Sequence, residues 1–236
     1  MSWDKRLYLQ DAIDARRDTV AATKEELRKK SDSTVGFPWN YSRSENICRK
    51  SPGGILPFAQ ALASVENLRN KVGRENNIAA TRLLHPYFST KQGQFYPVDK
   101  ERYRIGVGVS CQIKILGLLH CGGSGTLYWI QYRKWGTLTK EHVGLVATVG
   151  RTEYLENPEY QGFGLKILDI GANDLGKRYL REYDIYDLRL WSLQECNEFF
   201  DPVFHAIREL KDEGFQPKIR ERPRPSRPSD QLGLFD

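Results

Sequence analysis

An α+β fold is predicted for this chain by three observations. The first hundred residues read as helices, the texture after residue 101 changes to short segments rich in Val, Ile, Tyr and Trp, and a last helix follows without regular alternation. Length and composition agree: 236 residues with 11% aromatic side chains can fill one sizeable core even though 28% of the chain is charged. The expected organisation is a mainly helical region over residues 1–100, a sheet plus helix over 101–216 forming one domain with it, and a linker with a terminal peptide over 217–236.

Residues 3–30 hold helix formers without Gly or Pro, and Trp3, Leu7, Ile13, Val20 and Leu27 recur at helical spacing among charges. One long helix with a narrow apolar stripe, packed on the body, is expected there. Residues 31–54 carry Gly36, Pro38, Pro52, Gly53 and Gly54 and read as a long loop bearing Phe37, Trp39 and Tyr41. A second helical stretch spans residues 56–84, with Pro57 in its first turn, Leu62, Val65, Leu68 and Val72 on one side, and an interruption expected at Gly73. His85-Pro86-Tyr87-Phe88 is expected to end it, and Gln92-Gly93-Gln94 reads as a turn into extended chain.

Residues 104–119, 126–133, 143–149, 164–170 and 183–191 read as strands bounded by Gly clusters, the first long enough for a bend or bulge near Gly117. Cys121-Gly122-Gly123-Ser124-Gly125 lies between two such runs, so it reads as a hairpin loop, and the sheet is at least partly antiparallel. A phosphate cradle would need a helix after the glycines, whereas Thr126-Leu127-Tyr128-Trp129-Ile130 continues as strand. Gly106 and Gly108 likewise read as a bend or a close approach. Ser192-Leu193-Gln194-Glu195 is a capping box opening a helix that buries Phe199, Phe200, Phe204, Ile207 and Leu210 and closes at Gly214.

Cys48, Cys111, Cys121 and Cys196 show no Cys-x-x-Cys spacing, so reduced thiols and no zinc module are expected. The four histidines, at positions 85, 120, 142 and 205, share no catalytic spacing. No apolar leader core or membrane-length apolar run is present, which predicts a soluble cytoplasmic protein without a membrane partner. The net charge is +6. Residues 217–230 supply +3 of it, five basic side chains against Glu221 and Asp230, so a basic footprint covering the whole body is absent and any basic patch is local.

Two internal patterns point to chemistry. Glu182 and Asp184 would share a strand face with Asp187 close behind, which could bring carboxylate oxygens to one magnesium ion, as a nuclease needs; solvated strand-edge charges are the competing explanation. Tyr128, Tyr132 and Arg133 lie in a run that alternates aromatic and basic side chains, the texture of a single-strand nucleic-acid platform, against which stands the ordinary burial of strand aromatics.

The most specific pattern is Gln231-Leu232-Gly233-Leu234-Phe235-Asp236, three large apolar side chains after a polar run with four prolines and with Arg220, Arg222, Arg224 and Arg227. Gln231, Leu232, Leu234 and Phe235 match Gln-Leu-x-Leu-Phe, and this segment resembles the peptide by which bacterial polymerases, mismatch-repair proteins and other replication factors bind the sliding clamp. Asp236 after the Phe is the one departure. The resemblance implies a clamp partner and a role in replication, repair or a mobile element, with the basic linker as a further DNA contact. Two other readings accompany it: a clamp-targeted metal-dependent nuclease, the only one requiring a cofactor, Mg2+, and a binding module unrelated to replication. No residue pattern sets the stoichiometry or the role of the folded body.

Overall fold

Both faces of one central sheet are covered by helices. The computed structural model describes residues 7–32, 40–134 and 138–215. Over these, helices α1 (Leu9–Ala15), α2 (Val20–Asp32), α3 (Ser42–Lys50), α4 (Phe58–Glu66) and α5 (Lys71–Ser89) precede strands β1 (Gln94–Tyr96), β2 (Arg102–Gly106), β3 (Val109–Gln112), β4 (Ile115–Cys121) and β5 (Ser124–Gln131). Helix α6 (Lys140–Gly150), strands β6 (Gly164–Asp169) and β7 (Arg181–Asp184), and helix α7 (Leu193–Asp212) follow. The α+β class is as the sequence predicts, with a sheet of order β1-β4-β5-β6-β7 in which only β5 and β6 run parallel, and β2 and β3 form a separate hairpin. Among the described residues no helix is long and apolar enough to cross a membrane.

Alternation along β5 explains the two layers. Leu127 and Trp129 enter a large core with Leu165 and Ile167 of β6, the β2–β3 hairpin and helices α1, α2, α6 and α7. Tyr128 and Ile130 face the other way, onto Leu84 and Phe88 of α5. On β4 the register shifts between Ile115 and Gly117, a bulge at the expected place, so Leu116 and Leu119 share a face although three residues apart. Gly117 is required there because a Cβ would stand 2.8 Å from the Tyr96 carbonyl oxygen. The β4–β5 hairpin turns through Gly122 and Gly123, both at positive φ, as the glycine-rich loop predicts.

Several elements differ from the expectation, each for a local reason. Residues 143–149 form most of α6, not a strand: the helix is apolar on nearly every side because it is buried on nearly every side, which erases the helical period. A parallel β5–β6 pair also requires such a crossover. The expected first helix is two, since the Thr19 hydroxyl accepts from Ala22 N–H at 3.2 Å and opens α2. The expected loop over 31–54 contains α3, whose entry is fixed by Asn40 Oδ1 accepting from Ser42 N–H at 3.0 Å. Helix α5 begins at Lys71, with Asn70 capping Gly73 N–H at 2.7 Å, so the break falls at residues 67–70 and the helix continues through Pro86. The segment 104–119 splits into β2, β3 and the start of β4, with Gly108 at φ +68° in the turn, and the strand expected over 183–191 ends at Asp184. The capping box at Ser192 and the stop at Gly214 stand as expected.

Candidate functional site

The three carboxylates expected at one magnesium site do not form one. Glu182 and Asp184 lie on β7 beside Lys166 of β6, whose ammonium is 2.5 Å from Glu182 and 3.7 Å from Asp184. Partial burial alone would push the Glu182 carboxyl up, but the hydrogen bond and charge of Lys166 outweigh it and hold it below its usual range. Lys166 is raised in turn, first by that hydrogen bond. Asp184 accepts from Tyr186 N–H at 3.1 Å, and Asp187 is exposed at the end of the 3-10 turn Ile185–Asp187. A lysine thus occupies the position between the two strand carboxylates that a divalent cation would need. Among the described residues no three His, Cys, Asp or Glu side chains cluster suitably for a metal.

Tyr128, Tyr132 and Arg133 are not exposed together. Tyr128 is 3% exposed and meets Tyr87, Phe88 and Phe95 edge to face. Tyr132 stacks on Tyr41 with ring centroids 4.6 Å apart, and its hydroxyl is buried without a hydrogen-bond partner. Arg133 pairs with Asp11 at 2.5 Å and with Asp14, fastening α1 to the end of β5. Arg220, Arg222, Arg224, Arg227, Gln231, Leu232, Leu234 and Phe235 lie outside the described residues.

Two of the clefts on the α1 side hold mostly paired charges. One of about 530 Å3 lies between α1 and the α6–α7 end, where Arg189 meets Glu195 at 2.5 Å and Arg16 covers the Phe199 ring. Another of about 150 Å3 is lined by Gln10, Lys114 and Tyr132, with Lys114 bound to the buried Glu45 at 2.5 Å.

A different surface concentrates unbalanced charge. Helices α3, α4 and α5 pack around a small core of their own, Ile47, Ala61 and Val65 with Leu56, Leu62, Leu68 and Ile78 against it. Asn77, fully buried, locks α3 to α5: its Oδ1 accepts from Ser44 N–H at 3.1 Å, and its Nδ2 donates to the Asn40 and Gly73 carbonyls at 2.8 Å each. Arg178, donating to Asn76 at 2.5 Å and to the Tyr132 carbonyl at 2.6 Å, and Arg49, donating to the Leu116 carbonyl at 2.8 Å, fix this unit on the sheet. Between Asn40 and Gly93 stand eight basic against three acidic side chains, +5 of the chain's +6. Arg43, Lys50, Arg69, Lys71 and Arg82 are exposed, and Arg43 and Arg69 flank a cleft of about 200 Å3 where the first turns of α3 and α5 meet. Averaging charge over the body hides this surface; counting it in windows of helix-hairpin length reveals it. No family model, curated protein or solved structure matches the chain.

Proposed function

We propose that this chain is an accessory protein of DNA replication, repair or a mobile element, brought to DNA by a bacterial sliding clamp that binds the peptide at residues 231–236. The observation that carries the reading is the spacing Gln231-Leu232-x-Leu234-Phe235. Four specified residues at fixed positions recur by chance roughly once in 10^5 chains, which makes so short a match specific. Physical chemistry supports the same role. Burying two Leu and one Phe contributes roughly 1.5–3 kcal/mol each, and ordering the peptide at about 1–2 kcal/mol per residue offsets most of it, so the contact is a weak, reversible tether. Gln231 would fix the register by side-chain hydrogen bonds while the alternating apolar residues fill adjacent pockets.

The linker suits a tether. If extended as a polyproline helix at ~3.1 Å per residue, the 14 residues 217–230 would reach roughly 40 Å, and their +3 charge would add affinity for DNA near the ring. A weak peptide of this kind gains occupancy when a second contact raises its effective concentration. The test is capture on immobilised sliding clamp. The full chain is retained and a chain lacking residues 231–236 is not; equal retention of the two contradicts the proposal.

A further inference from the structure

We infer that α3, α4 and α5 form a double-stranded DNA-binding unit, with α4 and α5 as a helix–turn–helix and the N-terminal half of α5 facing the groove. The inference stands independently of the clamp peptide. Its first support is charge: +5 within the 54 residues 40–93, whereas the chain outside this unit and the 217–230 linker sums to −2. Such a local positive field is what a phosphate backbone selects.

Its second support is the arrangement. Four residues, 67–70, join α4 to α5, a connection of the length such pairs use, and α3 braces both through the shared small core. The sides of α5 then divide. Gly73, Asn77, Ala80, Thr81 and Leu84 point inward, while Lys71, Val72, Glu75 and Arg82 point out, with the small Ala79 between them. Lys71, Glu75, Ala79 and Arg82 follow one stripe at spacings of four and three, so a single face carries donors, an acceptor and room for close approach. Lys71 suits guanine N7 and O6, and Glu75 suits the cytosine amino group. Arg43 and Arg69, beside the cleft at the first turn of α5, stand where phosphates would pass on entry to the groove. A duplex fits better than a single strand because no outward residue of α5 is aromatic, and stacking platforms depend on aromatic rings.

The test is a titration of the full chain against a fluorescent duplex of about 30 base pairs at several salt concentrations. Phosphate contacts by Arg43 and Arg69 alone predict a slope of log Kobs against log salt of about −2. The triple variant R43E/R69E/K71E changes only exposed side chains, and an unchanged thermal melt would establish that it folds. It is expected to lose about 10-fold or more in affinity and to flatten the slope. Deleting residues 231–236 leaves DNA affinity unchanged, so failure here is distinguishable from failure of clamp recruitment. The inference is overturned if the triple variant binds as wild type while changing Arg220, Arg222, Arg224 and Arg227 to Gln abolishes binding. It is equally overturned if single-stranded DNA, duplex RNA, heparin or an acidic protein competes as well as the duplex.

Discussion

Tyr154, fully buried, and Tyr132, partly buried, have enclosed hydroxyls that stand in opposite situations. Tyr154 Oη donates to the Asp99 carbonyl at 3.0 Å and accepts from Glu101 N–H at 3.2 Å, joining the π-helical turn Arg151–Leu155 after α6 to the irregular segment ahead of β2. Tyr154→Phe leaves both backbone groups unpaired and is expected to cost about 1–3 kcal/mol in urea unfolding. Tyr132 contributes its ring to the Tyr41 stack and leaves its hydroxyl unpartnered, so Tyr132→Phe is expected to be neutral or stabilising by up to about 1 kcal/mol. Equal losses in the two variants would contradict this assignment. The same residues mark a limit of sequence reading. Period-two alternation from Tyr128 to Arg133 is real, but a sheet covered on both sides sends either set of aromatics into a core. The Arg133 partners, Asp11 and Asp14, lie more than a hundred positions away, where no local spacing points.

Elements with clear end signals were legible, and those without were not. The α7 capping box could be read directly, and its chemistry gives a pH dependence. Glu195 accepts from Ser192 N–H at 2.7 Å, and that bond, with Arg189 and the Ser192 hydroxyl, lowers its carboxyl from 4.5 to about 2. A depressed folded value means that its stabilisation is complete above the ordinary 4.5 and is lost as pH falls toward about 2. The melting-temperature advantage of wild type over Glu195→Gln should therefore shrink across that window and be constant at neutral pH; an advantage independent of pH would contradict it. In α6, by contrast, burial on nearly every side left only the Thr139 cap as a clue. Gly144 tests how tightly that helix is held. A Cβ there would stand 2.7 Å from the Arg189 carbonyl oxygen and 3.1 Å from the Trp191 indole nitrogen. Ala gains about 1 kcal/mol of helix propensity but meets about 1–3 kcal/mol of overpacking, so Gly144→Ala is expected to destabilise on chemical denaturation. A more stable variant would show that α6 can shift.

At the scale of the whole molecule, composition and segment texture were enough for the α+β class, because helix-rich and strand-rich halves differ in residue type irrespective of pairing. The order β1-β4-β5-β6-β7 and the parallel pair were not legible, since they depend on an α6 that looks like a strand. The charge distribution lay in the sequence throughout. Its significance emerges once α3, α4 and α5 are seen to share a core and to leave Arg43, Lys50, Arg69, Lys71 and Arg82 exposed. The two proposed contacts, a weak peptide for the ring and a basic helical unit for the duplex, would each raise the effective concentration of the other.

The ring contact is the central claim. Its most direct test is titration of a synthetic peptide spanning residues 217–236 into purified bacterial sliding clamp by calorimetry. The clamp proposal predicts weak but saturable binding, with a Kd between about micromolar and millimolar, abolished when Leu234 and Phe235 are changed to Ala. No saturable binding, or equal binding by the doubly substituted peptide, would contradict it.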